Sequence, residues 1–184
     1  MFIQTEQTPN PATLKFLPGR AVMDSGTADF PTADSAGRSP LAGQLFAVDG
    51  VTGVFFGGDF VTVTKAEGRD WQLLKPAILA VIMEHFTSAQ PLFAAGDAAG
   101  AVAAEGEEGE IVAQIKELLE TRVRPAVAQD GGDIVFRNFE DGVVYLHLQG
   151  SCAGCPSSTA TLKAGIENLL RHYIPEVREV RAAQ

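Results

Sequence analysis

Val143-Val144-Tyr145-Leu146-His147-Leu148-Gln149-Gly150 runs directly into Ser151-Cys152-Ala153-Gly154-Cys155-Pro156-Ser157-Ser158-Thr159, and this junction decides how the second half of the chain folds. The first stretch alternates apolar and polar side chains, the period of a strand. Pro156 opens a helix with Leu162, Ile166, Leu169, Leu170 and Tyr173 on one stripe, and Pro175 stops it. Both cysteines therefore fall between a strand and a helix N-terminus. Unpaired N–H groups and the positive end of the helix dipole favour thiolate over thiol there, which readies both sulfurs as ligands. Ala153 and Gly154 add little bulk, so a metal or cluster can come close to the backbone.

Cys152 and Cys155 are the chain's two cysteines. In an unexported protein a C-x-x-C pair points to metal or redox chemistry rather than to a disulfide framework. Structural zinc and most iron–sulfur clusters take four protein ligands, and one chain offers two thiolates. His147 on the preceding strand, His172 far along the following helix and the distant His85 lack the spacing of zinc partners. Two copies of the chain supply four thiolates about a symmetry axis. Two other readings use the same motif, a thioredoxin-like thiol-disulfide oxidoreductase and a structural zinc-bridged dimer. The first is disfavoured because the proline follows the second cysteine and the remaining residues hold one helix and one short strand.

Working outward, Asp133–Phe139 and Val143–Gln149 form a hairpin joined by Glu140-Asp141-Gly142. Before it, Ile111, Ile115, Leu118, Leu119 and Val123 keep helical spacing, in a helix ending near Gln129-Asp130-Gly131-Gly132. Glu176–Arg181 adds a short strand. Further back, residues 88–110 are rich in Ala, Gly and Glu, with five acidic and no basic side chains. That composition reads as a flexible, acid-extended linker over 88–109 between two small domains, 1–87 and 110–184. The fold class is α/β (α+β). In the N-terminal domain, Phe2–Gln7 and Ala12–Leu17 are strands separated by Thr8-Pro9-Asn10-Pro11. Ser39-Pro40 starts a helix with Leu41, Leu45 and Phe46 on one face. Val51–Phe56 and Phe60–Thr64 flank Gly57-Gly58-Asp59 as a hairpin, and Trp71–Phe86 is a helix with Leu74, Ile78 and Ile82 four apart.

The net charge is −9 and no basic stripe occurs, which excludes nucleic acid as a partner, since phosphate neutralisation needs clustered Lys and Arg. No stretch approaches the roughly 20 apolar residues of a membrane span. The start, Met1-Phe2-Ile3-Gln4-Thr5-Glu6, is neither signal-like nor transit-like, so a soluble, unexported protein with no membrane partner is expected.

Asp130-Gly131-Gly132-Asp133, the hairpin and Gly150-Ser151-Cys152-Ala153-Gly154-Cys155-Pro156-Ser157-Ser158 resemble the C-terminal domain of NifU, in the Nfu family, over about residues 110–181. Thr8-Pro9-Asn10-Pro11, Leu14-Lys15-Phe16, Ser39-Pro40-Leu41-Ala42 and Val54-Phe55-Phe56 resemble the accessory domain that precedes it in mitochondrial-type and many bacterial Nfu proteins. The resemblance implies a non-enzymatic iron–sulfur cluster scaffold or carrier. It would take a labile cluster, usually 4Fe-4S with 2Fe-2S as the alternative, from an upstream scaffold and pass it to client apo-proteins. Cys152 and Cys155 would ligate iron, in a cluster-bridged homodimer. The setting would be the cytoplasm of a bacterium or the mitochondrial matrix of a eukaryote. The accessory domain, without cysteine, would recognise partners. Because acidic Ala/Gly segments bury little, limited proteolysis is expected to cut first between Ser88 and Glu110, read by mass spectrometry of the fragments.

Overall fold

The computed structural model describes residues 2–24, 26–94, 109–153 and 156–183. The chain divides into two compact units, residues 1–102 and 103–184, each with its own hydrophobic core.

The first unit is a five-stranded antiparallel sheet carrying two helices. Its elements are β1 (Gln4–Gln7), β2 (Thr13–Leu17), β3 (Ala28–Phe30), a 3-10 turn (Ser35–Arg38), α1 (Pro40–Phe46), β4 (Val51–Phe56), β5 (Val61–Lys65) and α2 (Trp71–Thr87). The strand order is β1-β2-β5-β4-β3. Alternation decides which side chains enter the core: Leu14, Phe16, Val54, Phe56, Val61 and Val63 are buried with Leu41, Leu45, Ile78 and Ile82 of the two helices. Ser39 caps α1 by accepting the Ala42 N–H at 3.3 Å, and Asp70 caps α2 by accepting the Gln72 N–H at 2.9 Å. Edge strand β3 went unassigned in the sequence, since three residues carry too little pattern, yet Phe30 is fully buried and packs edge-on against Phe56.

The first residues of the expected linker are packed on this unit. Ser39 Oγ donates to the Leu92 carbonyl at 2.6 Å, the Ala94 N–H donates to the Arg38 carbonyl at 2.8 Å, and the Phe93 ring lies 6.5 Å from those of Phe30 and Phe56. A cut before Ala94 would sacrifice these contacts, so the first cleavage is expected beyond it. Residues 95–108 lie outside the described residues.

The second unit begins with α3 (Glu110–Leu118), a π-helical turn (Leu119–Val123) and α4 (Arg124–Gln129), where the sequence pattern predicts one continuous helix. Pro125 explains the break: it has no N–H for the α-helical ladder, and the Arg124 N–H reaches back five residues to the Leu119 carbonyl. Strands β6 (Gly132–Glu140) and β7 (Val143–Gly150) form the expected hairpin, with positive φ at both Asp141 and Gly142, the conformation of a two-residue hairpin turn. Helix α5 (Pro156–Tyr173) then crosses over to β8 (Glu179–Ala182), which pairs with β7 in parallel. A parallel pair requires such a crossover. The core is Ile115, Leu119, Val123, Ile134, Val144, Leu146, Ile166 and Leu170 with their neighbours. Tyr173, expected on the buried stripe of the last helix, is instead 49% exposed with the Arg122 guanidinium over its ring, and Ile174 is buried in the core.

In the first unit His85 is 1% exposed, and its Nδ1 has no hydrogen-bond partner among the described residues. Burial pushes its pKa below the usual value by disfavouring the imidazolium. Below the ordinary histidine pKa of about 6.5 the unfolded chain binds a proton that the folded chain resists, so stability falls as pH falls through that value. Urea melts of the full chain at pH 7 and pH 5 are expected to show this loss, and His85→Phe to reduce it.

Candidate functional site

The cysteine loop leaves the carboxyl end of β7 and enters the N-terminus of α5, the junction at which open α/β layers commonly present their ligands. Cys152 is only 7% exposed and belongs to the hydrophobic core cluster of the unit. The residue is thus seated inward and not displayed on the surface. The cause lies in the turn between α4 and β6. Gly132 pairs with Gly150 across the hairpin, and a β-carbon at Gly132 would lie 2.6 Å from the Cys152 sulfur, 3.0 Å from the Gln149 carbonyl oxygen and 3.1 Å from the Cys152 nitrogen. The sulfur occupies a notch that exists because residue 132 has no side chain.

Ser151 ties the loop to the same turn. It is 2% exposed; its Oγ donates to the Asp130 carbonyl, and its N–H donates to the Gly131 carbonyl at 3.2 Å. From the other side, Thr159 Oγ1 donates to the Cys152 carbonyl at 3.4 Å. Cys155, the second residue expected at the site, lies outside the described residues, as does Gly154. Neither candidate histidine joins Cys152: His147 faces Val135 on β7, His172 sits exposed against Tyr173, and the described residues contain no group of three or more His, Cys, Asp or Glu able to hold a metal.

Comparison with known proteins fits this division. The family description "Scaffold protein Nfu/NifU N terminal" matches residues 3–89 and "NifU-like domain" matches residues 115–181. The chain is 58% identical to the human "NFU1 iron-sulfur cluster scaffold homolog, mitochondrial", over 98% of this chain and 71% of that protein. This chain belongs to the Nfu family. It is also 55% identical to the Arabidopsis thaliana "NifU-like protein 4, mitochondrial", again over 98% of this chain but over 65% of the longer relative. A solution structure of a NifU-like protein from Saccharomyces cerevisiae aligns with a TM-score of 0.47 at 26% identity, over 52% of this chain and 86% of that one.

In this Nfu protein the structure adds residues to which sequence reasoning gave no role. Asp133 is 3% exposed, and Arg124 meets it with two of its three guanidinium nitrogens, Nε to Oδ1 at 2.8 Å and Nη2 to Oδ2 at 3.0 Å. Asp133 Oδ1 also accepts the Ile134 N–H at 2.8 Å. The hydrogen bonds to Asp133 raise the Arg124 pKa still further, so the guanidinium keeps its charge. It clamps the end of the π-helical turn to the strand that floors the cysteine notch. Its signal in the sequence was the glycine pair between two aspartates, which marks a tight turn but not its neighbour. Removing one partner of a buried, forked ion pair costs about 2–3 kcal/mol, and more when the buried group left behind is charged. Arg124→Met, which strands the Asp133 carboxylate, is therefore expected to destabilise the second unit more than Asp133→Asn, in guanidinium titrations of the full chain followed by circular dichroism.

Proposed function

We propose that the chain carries an iron–sulfur cluster as cargo, held by Cys152 and Cys155 of two copies of the chain and passed on to client apo-proteins. The observation that carries this reading is the notch at Gly132. It connects the two halves of the family motif, Asp130-Gly131-Gly132-Asp133 and Cys152-x-x-Cys155, by direct contact at the sulfur. A soft thiolate donor held by small residues at a helix N-terminus suits iron–sulfur chemistry. Relatives named as iron–sulfur cluster scaffolds support the same role.

Ligand counting supports sharing, because a cubane has four irons that each need an outer ligand and one chain has two cysteines. A 4Fe-4S cargo fits four thiolates, and a 2Fe-2S cargo uses the same four. Release would proceed by exchange at iron: a client thiolate forms a new Fe–S bond as a carrier sulfur leaves and takes up a proton, with no electron moved. No turnover chemistry is required, so the protein acts as a carrier and not as an enzyme. The cysteine-free first unit would serve recognition of the upstream scaffold or of clients. Relatives named mitochondrial support a setting in the mitochondrial matrix, while a bacterial cytoplasm rests on the resemblance alone. Against the oxidoreductase reading stands the sheet of the second unit, which has three strands among the described residues with α5 and β8 alone after the motif.

Since the cargo would tie two protomers, the apo chain is expected to sediment as a monomer and the reconstituted chain as a dimer, linked by mass action. About two irons per chain marks a 4Fe-4S bridge and about one marks 2Fe-2S. A loaded monomer with four irons overturns sharing, and a colourless dimer holding zinc favours the structural clip. Cys152→Ser and Cys155→Ser are each expected to abolish the visible band.

A further inference from the structure

The Cys152 sulfur points into the core of its own unit, whereas a ligand shared between two chains has to reach outward. We propose that Ser151 is a positioning residue that stores the Cys152 thiol in the notch over Gly132, so that the thiol engages cargo only after the loop opens locally. Three features of the loop carry this. Ser151 is buried and stitched twice to the turn before β6, by its hydroxyl to Asp130 and by its N–H to Gly131. The sulfur of the next residue lies 2.6 Å from where a Gly132 β-carbon would be, too close for the two to coexist without a shift. Thr159 on α5 holds the carbonyl of Cys152, so the cysteine is fixed from both neighbouring elements.

The consequence is kinetic. Alkylating agents and oxidants attack an exposed thiolate, and a sulfur packed into the core cluster is reached only through local opening, whose population the Ser151 bonds reduce. An unloaded carrier would thus keep one of its ligands out of contact with oxidants. The same bonds would set how fast cargo is accepted. The proposal rests on the reading of Cys152 as a ligand, but the storage of its thiol is measured without any cluster.

The test uses the full chain carrying Cys155→Ser, which leaves Cys152 as the only thiol, treated with iodoacetamide and followed by mass spectrometry with and without guanidinium. The native rate is expected to be at least about tenfold below the denatured rate. Adding Ser151→Ala, with circular dichroism unchanged, is expected to raise the native rate about fivefold, the effect of one lost hydrogen bond. Gly132→Ala, which fills the notch, is expected to raise it too. Equal native and denatured rates in the Cys155→Ser chain overturn storage, whether or not the further variants fold. A protected thiol that Ser151→Ala leaves equally protected overturns the role of Ser151. In the chain with both cysteines, Ser151→Ala is expected to speed iron and sulfide uptake. A wild-type chain that never loads, with Cys152 still protected, would count against the ligand reading alone.

Discussion

The second unit is organised around one close approach, a cysteine sulfur lying 2.6 Å from where a β-carbon on Gly132 would be. That contact sets strict conditions on its surroundings. Residue 132 can carry no side chain without displacing the sulfur, the turn before it has to present its carbonyls to Ser151, and β6 has to stay in register with β7 so that Gly132 meets Gly150. Each condition is met by a different part of the chain, so the geometry of the loop depends on the whole unit and not on the motif alone.

The break in the first helix of that unit serves the same end. Pro125 withholds an N–H, the helix widens into a π turn over Leu119–Val123, and Arg124 emerges beside Asp133. An ion pair with both charges partly out of water stabilises less by its net energy than by the cost of separating it. It acts as a geometric clamp, fixing where the helix end meets the strand and hence where the floor of the notch lies. The parallel pairing of β8 with β7 does comparable work on the far side, since it brings the far end of α5 back onto the sheet, and the first turns of α5 meet the cysteine carbonyl through Thr159.

The first unit is built by different means. Its sheet is wholly antiparallel, its core is dominated by phenylalanine, and its C-terminal strap through Leu92, Phe93 and Ala94 closes over the start of α1. Ser39 takes part twice, capping α1 and holding the strap, so one buried hydroxyl satisfies groups from two segments 53 residues apart. Nothing in this unit contributes cysteine, and its buried His85 makes its stability sensitive to acid.

Most of the elements were legible because they rest on local rules. Alternation announced β6 and β7, the Asp141–Gly142 turn announced the hairpin, Ser39-Pro40 announced α1, and proline at either end bounded α5. The two cysteines, their spacing and their place before a helix were equally local. Other features were not local. β3 is held by its pairing with β4 and by the burial of Phe30, and three residues cannot show a period. Tyr173 keeps helical spacing with the buried stripe but is half exposed beside Arg122, and Ile174 is buried in its place. Residues 92–94 look like linker by composition and are held by contacts to Arg38, Ser39 and Phe30 that no neighbouring residue predicts. The inward seat of Cys152 belongs with these, for it depends on an absent side chain 20 positions earlier and on a serine whose partners are backbone carbonyls. The sequence by itself determined how many thiols the chain has and how they are spaced, while the tertiary structure alone decided that one of them is seated inward, because a notch is made by surfaces that meet only when the chain has folded.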